Sequence, residues 1–208
     1  MATKRSRCFG DGDPLYERYH DEEWGRPVTD ERGMYERLCL EAFQAGLSWR
    51  TVLHKREAFR AAFAGFDPER VARYGRRDVT RLMRDTGIIR NQMKIEAAIA
   101  GARAVLALGE AGESVVGLVW SFAPERPRGP RSLAEMPAKS PASEALSKTL
   151  RAQGFKFIGP TTAYATMQAA GLVNDHLPHC PVRPAVERER AAALRKVFGN
   201  QPRRPVRR

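Results

Sequence analysis

The segment RLMRDTGIIRNQMKIEAAI, residues 81–99, is the part of the sequence that decides the fold prediction. Apolar residues recur at helical spacing on both sides of Gly87, and a glycine between two such patterns favours a turn that joins two helices. The N-terminus of the second helix would expose backbone N–H groups that can hold a phosphate, with Arg90 and Lys94 adding positive charge. The pattern is typical of a helix-hairpin-helix, although helix pairs joined at a glycine also occur in proteins that bind no nucleic acid.

Helix signals continue along the rest of the chain, and strand signals are nearly absent. Asp13-Pro14 and Asp67-Pro68 each combine a capping side chain with a proline at the first helical position. Ser48 is a further candidate N-cap. We therefore predict an all-α fold.

The charge of the chain favours a polyanionic partner. Its 208 residues carry a formal net charge of +12, which points to nucleic acid before other partners. Much of the excess lies at the C-terminal end, where residues 186–208 hold eight Arg or Lys residues against two Glu. We predict a folded domain of two helical lobes over residues 1–185 and a basic, arginine-rich tail over residues 186–208.

Apolar runs and cysteine usage indicate a cytoplasmic protein. The longest apolar runs fall well short of the roughly 20 residues that cross a bilayer, and the N-terminal segment leads into no apolar stretch typical of a secretory signal. Three cysteines cannot form a disulfide framework, and the odd count favours reduced thiols. Cys39 lies among apolar residues and is interpreted as a small buried hydrophobic side chain.

The two remaining cysteines lie near opposite ends of the chain, each with a histidine. His176 and Cys180 are four residues apart in NDHLPHC, and Cys8 precedes His20. Together they form a Cys2His2 set suited to a closed, structural Zn²⁺ site that would join the chain termini. The alternatives are an incidental thiol at Cys8, a surface position for His20, and His179 in place of His176.

An acidic residue interrupts the apolar stripe of one predicted helix. Glu41 lies seven residues after Met34 and four before Ala45, on the face that also carries Leu38. A carboxylate on such a face is costly unless it has a partner. Glu41 therefore either pairs with a nearby arginine or lies in a pocket that binds a cationic or donor-rich ligand.

Large aromatic residues cluster around this acid in the sequence. Each of them alone is more typical of a hydrophobic core. Several rings around one carboxylate resemble a cage in which stacking and cation–π contacts select a flat, charged base. These residues are Tyr16, Tyr19, Trp24 and Trp49.

Long blocks of the sequence resemble the DNA-3-methyladenine glycosylase I family of bacterial repair enzymes. The resemblance covers approximately residues 7–180 and is carried by DPLYERYHDEEWG, LCLEAFQAGLSWRTVLHKRE, FRAAFAGFDPERVA, GIIRNQMKI and SEALSKTLRAQGFKFIGPTTAYATMQAAGLVNDH. It implies a helix-hairpin-helix glycosylase fold and a structural zinc. It also implies hydrolysis of the N-glycosidic bond of 3-methyladenine in double-stranded DNA after base flipping.

The resemblance also implies a role for individual residues. It makes Glu41 the catalytic carboxylate that hydrogen-bonds the damaged base, sandwiched between Tyr19 and Trp49. The zinc ligands fall on Cys8, His20, His176 and Cys180. Tyr16 and Trp24 line the pocket, Gln44 and Leu47 lie at the DNA gap left by the flipped nucleotide, and Gly87 and Lys94 belong to the phosphate-holding hairpin.

Two further features of the sequence concern the mechanism and the substrate. Many related helix-hairpin-helix glycosylases place a catalytic Asp after the hairpin, whereas residues 103–120 of this chain contain Glu110 and Glu113 but no Asp. We therefore expect direct attack by water, a modest rate enhancement and no lyase activity. The family often has Gly-Trp after the first cysteine, where this chain has Phe9-Gly10, so the fine substrate preference is open.

Two other functions are compatible with parts of this pattern. A zinc-stapled DNA-binding module could recognise alkylated bases without cutting them. A basic, helical RNA-binding protein would explain the charge but not the combination of Glu41 and Trp49. For the enzyme we expect a monomer that needs no obligatory protein partner and no membrane.

Overall fold

The structure is a computed structural model that describes residues 6–10, 12–125 and 129–199. Within these ranges the chain forms ten α-helices and two short 3-10 turns, at Ala64–Phe66 and Leu133–Glu135, and no β-strand. The predicted all-α fold is confirmed for this part of the chain. The helices are α1 (Pro14–Glu22), α2 (Glu31–Gln44), α3 (Trp49–Ala62), α4 (Pro68–Ala72), α5 (Arg76–Arg84), α6 (Gln92–Glu110), α7 (Val115–Trp120), α8 (Pro141–Ala152), α9 (Pro160–Ala169) and α10 (Arg183–Phe198).

Side-chain caps begin the helices where the sequence predicts them. The Asp13 carboxylate accepts hydrogen bonds from the first backbone N–H groups of α1. Ser48 accepts from the N–H of Thr51 at the start of α3, and Asp67 caps α4. These acceptors satisfy N–H groups that have no partner within the helix, so the predicted starts of α1, α3 and α4 are confirmed.

Helix α2 is the centre of the hydrophobic core. It packs against α3, α6, α7 and α9, and Met34, Tyr35, Leu38 and Phe43 are buried along it. The hydroxyl of Tyr35 donates to the carbonyl of Ala98 on α6 at 2.8 Å. Because neighbours surround α2 on several sides, a polar side chain on its inner face is removed from water.

Helices α5 and α6 form the pair predicted around Gly87. They pack against each other and are joined by residues 85–91, where the N–H of Gly87 donates to the Asp85 carboxylate at 2.8 Å. The side chain of Asn91 then accepts from the N–H of Lys94 and begins α6. Two helices joined by a turn are therefore present at the predicted position.

Helix α10 crosses the predicted boundary at residue 186. Val186, Arg190 and Ala193 are buried, and the Arg190 guanidinium donates to the carbonyls of Leu172 and Pro124. Periodic apolar side chains thus tie α10 to the body of the protein. Residues 200–208 of the predicted tail lie outside the described residues, and the division into domain and tail stays a prediction.

Membrane-spanning geometry is absent from the described helices. None of them is long and apolar enough to cross a bilayer.

A single carboxylate fixes α7 to the start of α2. Glu31 accepts hydrogen bonds from the N–H groups of Val115 and Val116 at 3.0 and 3.2 Å, where the α7 dipole favours negative charge.

Substitution Glu31→Ala should lower the free energy of unfolding by about 1–2 kcal/mol, measured by urea denaturation. The control is Glu22→Ala, at an exposed position of α1; equal losses in the two variants would contradict this role for Glu31.

Candidate functional site

Two histidines and two cysteines from both ends of the chain meet in one buried cluster. One ligand atom from each of Cys8, His20, His176 and Cys180 lies within 4.8 Å of all the others. The sulfur of Cys180 is 3.3 Å from Nδ1 of His176 and 3.6 Å from Nε2 of His20. The four residues that the sequence pairs across the chain are therefore together, and they could hold a metal ion.

The outer nitrogens of both imidazoles are engaged, which orients the inner nitrogens toward the cluster. Nδ1 of His20 lies 2.8 Å from the Asp21 carboxylate, and Nε2 of His176 lies 2.9 Å from the carbonyl of Trp24. Such outer partners are usual for metal-binding histidines, because they fix the tautomer and the ring. His179, the alternative to His176, is exposed and lies outside the cluster.

Because the cluster is buried, its Cys8 thiol and His176 imidazole favour their neutral forms. Burial raises the pKa of the Cys8 thiol to about 12 and lowers the pKa of His176 to about 4. The neutral imidazole is the form that binds metals, whereas a thiol ionises in such an interior when a positive ion compensates its charge. Two sulfur and two nitrogen donors without an open position suit tetrahedral zinc.

Glu41 lies inside the protein, in the C-terminal half of α2. Its side chain is 4% exposed, and its Oε2 has no hydrogen-bond partner among the described residues. Burial raises the pKa of this carboxyl to about 7, while the positive charge of Arg37 acts to lower it. A buried acceptor without a partner costs free energy, so this geometry favours a ligand pocket over the alternative of a saturated ion pair.

Burial and the nearby charge of Glu41 both raise the pKa of the Tyr19 hydroxyl on α1, so Tyr19 lies close to that carboxylate, and Trp49 of α3 lies beside Tyr19. Their ring centroids are 5.2 Å apart with an interplanar angle of 43°, and Nε1 of Trp49 is also buried without a partner. A flat base between two parallel rings requires a separation of about 7 Å, or two van der Waals layers. As placed, the two rings leave no room for a base between them, and a base would contact them after they separate or from one side.

Phe9 connects the aromatic residues to the Cys/His cluster. Its ring stacks on Tyr16 at 4.7 Å and meets Trp24 edge-on at 5.0 Å. The Trp24 ring in turn lies 4.6 Å from the His176 ring. Phe9 therefore fills the space beside the predicted pocket residues, and Trp24 belongs as much to the wall of the cluster as to the pocket.

The sequence analysis missed a group of charged residues behind the aromatic rings. Arg56 of α3 forms a two-pronged hydrogen bond to Glu23, with 2.8 Å between Nη2 and Oε1. Arg37 of α2 lies 3.9 Å from the same carboxylate, and its guanidinium carbon is 5.8 Å from the centroid of the Tyr19 ring. Helical spacing relates Arg37 to Glu41, but no local pattern links Glu23 to Arg56, 33 residues away.

The loop between α2 and α3 exposes one large apolar side chain. Leu47 is 44% exposed and follows Gly46, whose φ of +83° suits glycine. Gln44, the last residue of α2, is half-buried. An exposed leucine at the tip of a short, glycine-containing turn is available to enter a gap in another molecule.

The three residues predicted to hold phosphate differ in their exposure to solvent. Arg90 is exposed and Gly87 is half-buried in the turn. Lys94, in contrast, is 7% exposed, and its ammonium donates to the carbonyls of Phe43 and Ala45 at 2.9 and 2.6 Å. Lys94 therefore caps the C-terminal end of α2, and we do not propose it as a DNA contact.

The described part of the chain defines an all-helical protein with a buried carboxylate that has an unpaired oxygen. Residues 9–184 match the methyladenine glycosylase family. The chain belongs to this family.

Individual relatives agree with the family match over most of the chain. DNA-3-methyladenine glycosylase 1 of Escherichia coli (strain K12) is 52% identical over 174 residues, which are 83% of this chain and 93% of the relative. A crystal structure of 3-methyladenine DNA glycosylase I, also 52% identical, superposes with a TM-score of 0.83 and covers 86% of this chain and 100% of its own.

A more distant structure concerns the base itself. It describes the structural basis of 3-methyladenine recognition by 3-methyladenine DNA glycosylase I from Staphylococcus aureus. It is 37% identical, with a TM-score of 0.81, and covers 85% of this chain and 95% of its own.

Proposed function

We infer that this chain is a DNA-3-methyladenine glycosylase, which hydrolyses the N-glycosidic bond of 3-methyladenine in alkylated DNA. The family match over residues 9–184 and the 52% identity to the Escherichia coli enzyme support this function. The observation that carries it is the Glu41 carboxylate, which is buried next to aromatic rings and has one oxygen free for a ligand.

The pocket suits a cationic base better than a neutral one. Alkylation at N3 gives adenine a positive charge and weakens its bond to the sugar, so the enzyme must mainly distinguish this base from normal adenine. An ionised Glu41 attracts the cation and accepts hydrogen bonds from the exocyclic amine. The faces of Tyr19 and Trp49 add cation–π attraction, which a neutral base does not gain.

The target base must leave the duplex before it can reach Glu41. Extrusion of a base costs a few kcal/mol of lost stacking and pairing. The exposed side chain of Leu47 would fill the vacated space, with Gln44 beside it at the end of α2. Both residues stay proposals for the DNA gap.

Hydrolysis in this pocket proceeds without a strong general base. Water attacks the anomeric carbon while the bond from that carbon to the base breaks, and the bonding electron pair neutralises the departing cationic base. A proton from the attacking water passes to solvent. Because no lysine is assigned as a nucleophile, we expect base release without strand cleavage, and the absence of Asp from residues 103–120 suits a substrate that is already labile.

The pair α5–α6 is our proposal for the DNA-backbone contact. As a helix-hairpin-helix, it would present the turn at Gly87 and the exposed Arg90 to phosphates of double-stranded DNA. Lys94 would support the Leu47 loop from behind through its bonds to the end of α2. We expect the enzyme to act as a cytosolic monomer.

We also propose that Cys8, His20, His176 and Cys180 hold one structural zinc ion. A closed set of four protein ligands leaves no position for a catalytic water. The ion would compensate the two thiolates and join the N-terminal segment, α1 and the segment before α10. Its contribution is to stability and not to the chemical step.

The substitution Glu41→Gln tests the function directly. It keeps the shape but removes the negative charge, so release of 3-methyladenine from methylated duplex DNA should fall by at least about 100-fold, measured by chromatography of the released base. Affinity for the DNA should change little. Glu36→Gln on the same helix, where the side chain pairs with Arg60, is the control and should retain activity.

Two outcomes would overturn parts of this proposal. Full activity of Glu41→Gln would remove Glu41 from the site. Binding of methylated DNA by the wild-type protein without any base release would favour the non-catalytic recognition module.

The metal proposal predicts a selective loss of stability. Purified protein should contain about one zinc per chain, and Cys180→Ser should lose the metal and lower the midpoint of thermal unfolding by several degrees or more. Cys39→Ala, at a buried cysteine outside the cluster, should keep the metal. Wild-type protein that is fully folded without any bound metal would refute the proposal.

A further inference from the structure

Arg37 occupies an unusual position next to the pocket. It lies on α2 one helical turn before Glu41, where side chains are neighbours, and only 12% of its side chain is exposed. Its Nη1 is buried and has no hydrogen-bond partner in the described part of the protein. The free oxygen of Glu41 is likewise unpaired, so the two opposite charges are close without being bonded through these atoms.

We propose that Arg37 is a positioning residue that allows Glu41 to ionise near neutral pH while leaving its oxygen free, and so sets the pH range of base excision. This inference rests on the proposed function. It assigns to Arg37 a part in substrate recognition that acts through Glu41 and requires no contact with the base.

The physical reason is the cost of a buried carboxylate. Removal from water favours the neutral acid, and a permanently charged guanidinium nearby favours the carboxylate. Burial dominates and raises the pKa of Glu41 to about 7, with the charge of Arg37 opposing that rise. Without Arg37, the acid would be largely protonated at neutral pH and would lose its attraction for a cationic base.

A direct ion pair would be less useful than this separated arrangement. A guanidinium that bonded both oxygens of Glu41 would occupy the acceptors that the base needs. Two contacts hold Arg37 back: its Nη2 is 3.9 Å from Oε2 of Glu23, and its guanidinium carbon lies 5.8 Å from the centroid of the Tyr19 ring. Glu23 is itself fixed by Arg56.

The helices packed around α2 bring few other charges to this pair. Helix α1 contributes Tyr19, with Glu23 at its C-terminal end, and α3 contributes Arg56. The Lys94 ammonium of α6 is bound to carbonyls at the end of α2. On the side of α9, the hydroxyl of Tyr164 donates to Asp175. Glu23 and Asp175 each have a partner of their own. Burial raises the pKa of Glu41, and Arg37 is the cation whose charge lowers it.

The test is the pH dependence of single-turnover 3-methyladenine release from methylated duplex DNA. Glu41 must be ionised, so the wild-type rate should fall as pH decreases through about 7. Arg37→Met should move this midpoint upward by about one pH unit, which lowers the rate at pH 7 roughly fivefold. Arg37→Lys keeps the charge and should restore a midpoint near that of wild type.

Arg151→Met is a matched control. Arg151 lies on α8, is exposed and belongs to none of the proposed binding surfaces, and its loss changes the net charge equally. Its midpoint should equal that of wild type. Should Arg37→Met fail to fold, Arg37→Gln removes the charge while keeping a polar group near Glu23, and the same upward shift is expected.

The possible results separate this inference from the function on which it rests. An unchanged midpoint in the folded Arg37→Met or Arg37→Gln variant would refute the role of Arg37 and leave the glycosylase function intact. A titration of the Glu41 carboxyl by 13C NMR, assigned with Glu41→Gln, gives a second check. A wild-type midpoint above about pH 8 would also refute the inference, whereas failure of wild type to release 3-methyladenine at any pH would refute the function.

Discussion

The proposed function depends on keeping one carboxylate out of water with an oxygen left unpaired. Glu41 is buried in the C-terminal half of α2, the helix against which α3, α6, α7 and α9 pack, and one of its oxygens has no partner among the described residues. Such an arrangement is costly for folding alone. Under the proposed function a cationic base would supply the missing partner, so the feature that costs stability would favour an alkylated base over a neutral one.

The Cys/His cluster lies next to the aromatic residues of α1, so a metal ion bound there would also hold the proposed base-binding residues in place. His20 and Tyr19 are neighbours on α1, and Phe9 touches both rings. A metal ion in the cluster would fix the N-terminal segment and α1 against the C-terminal part of the chain. The aromatic side chains that α1 presents to Glu41 would then keep their positions when the empty pocket meets DNA.

Sequence patterns within a few residues predict much of the fold, but they do not predict contacts between residues that are far apart in the sequence. The caps at Asp13 and Ser48 follow from side-chain chemistry within a few residues. The cluster was within reach because cysteine and histidine are scarce in this chain. The arginines of α10 obscure its apolar positions in the sequence, so local rules do not predict how it packs, and the ion pair between Glu23 and Arg56 joins residues with no sequence signal. Lys94 was assigned by resemblance, while its actual contacts depend on where α2 ends.

The most direct measurement of the central claim is a crystal structure of the wild-type protein with 3-methyladenine. We expect the amino nitrogen of the base to lie within hydrogen-bond distance of Oε2 of Glu41, and the base to contact the ring of Trp49. A base bound at a site remote from Glu41, with that carboxylate still unpaired, would contradict the proposed role of Glu41.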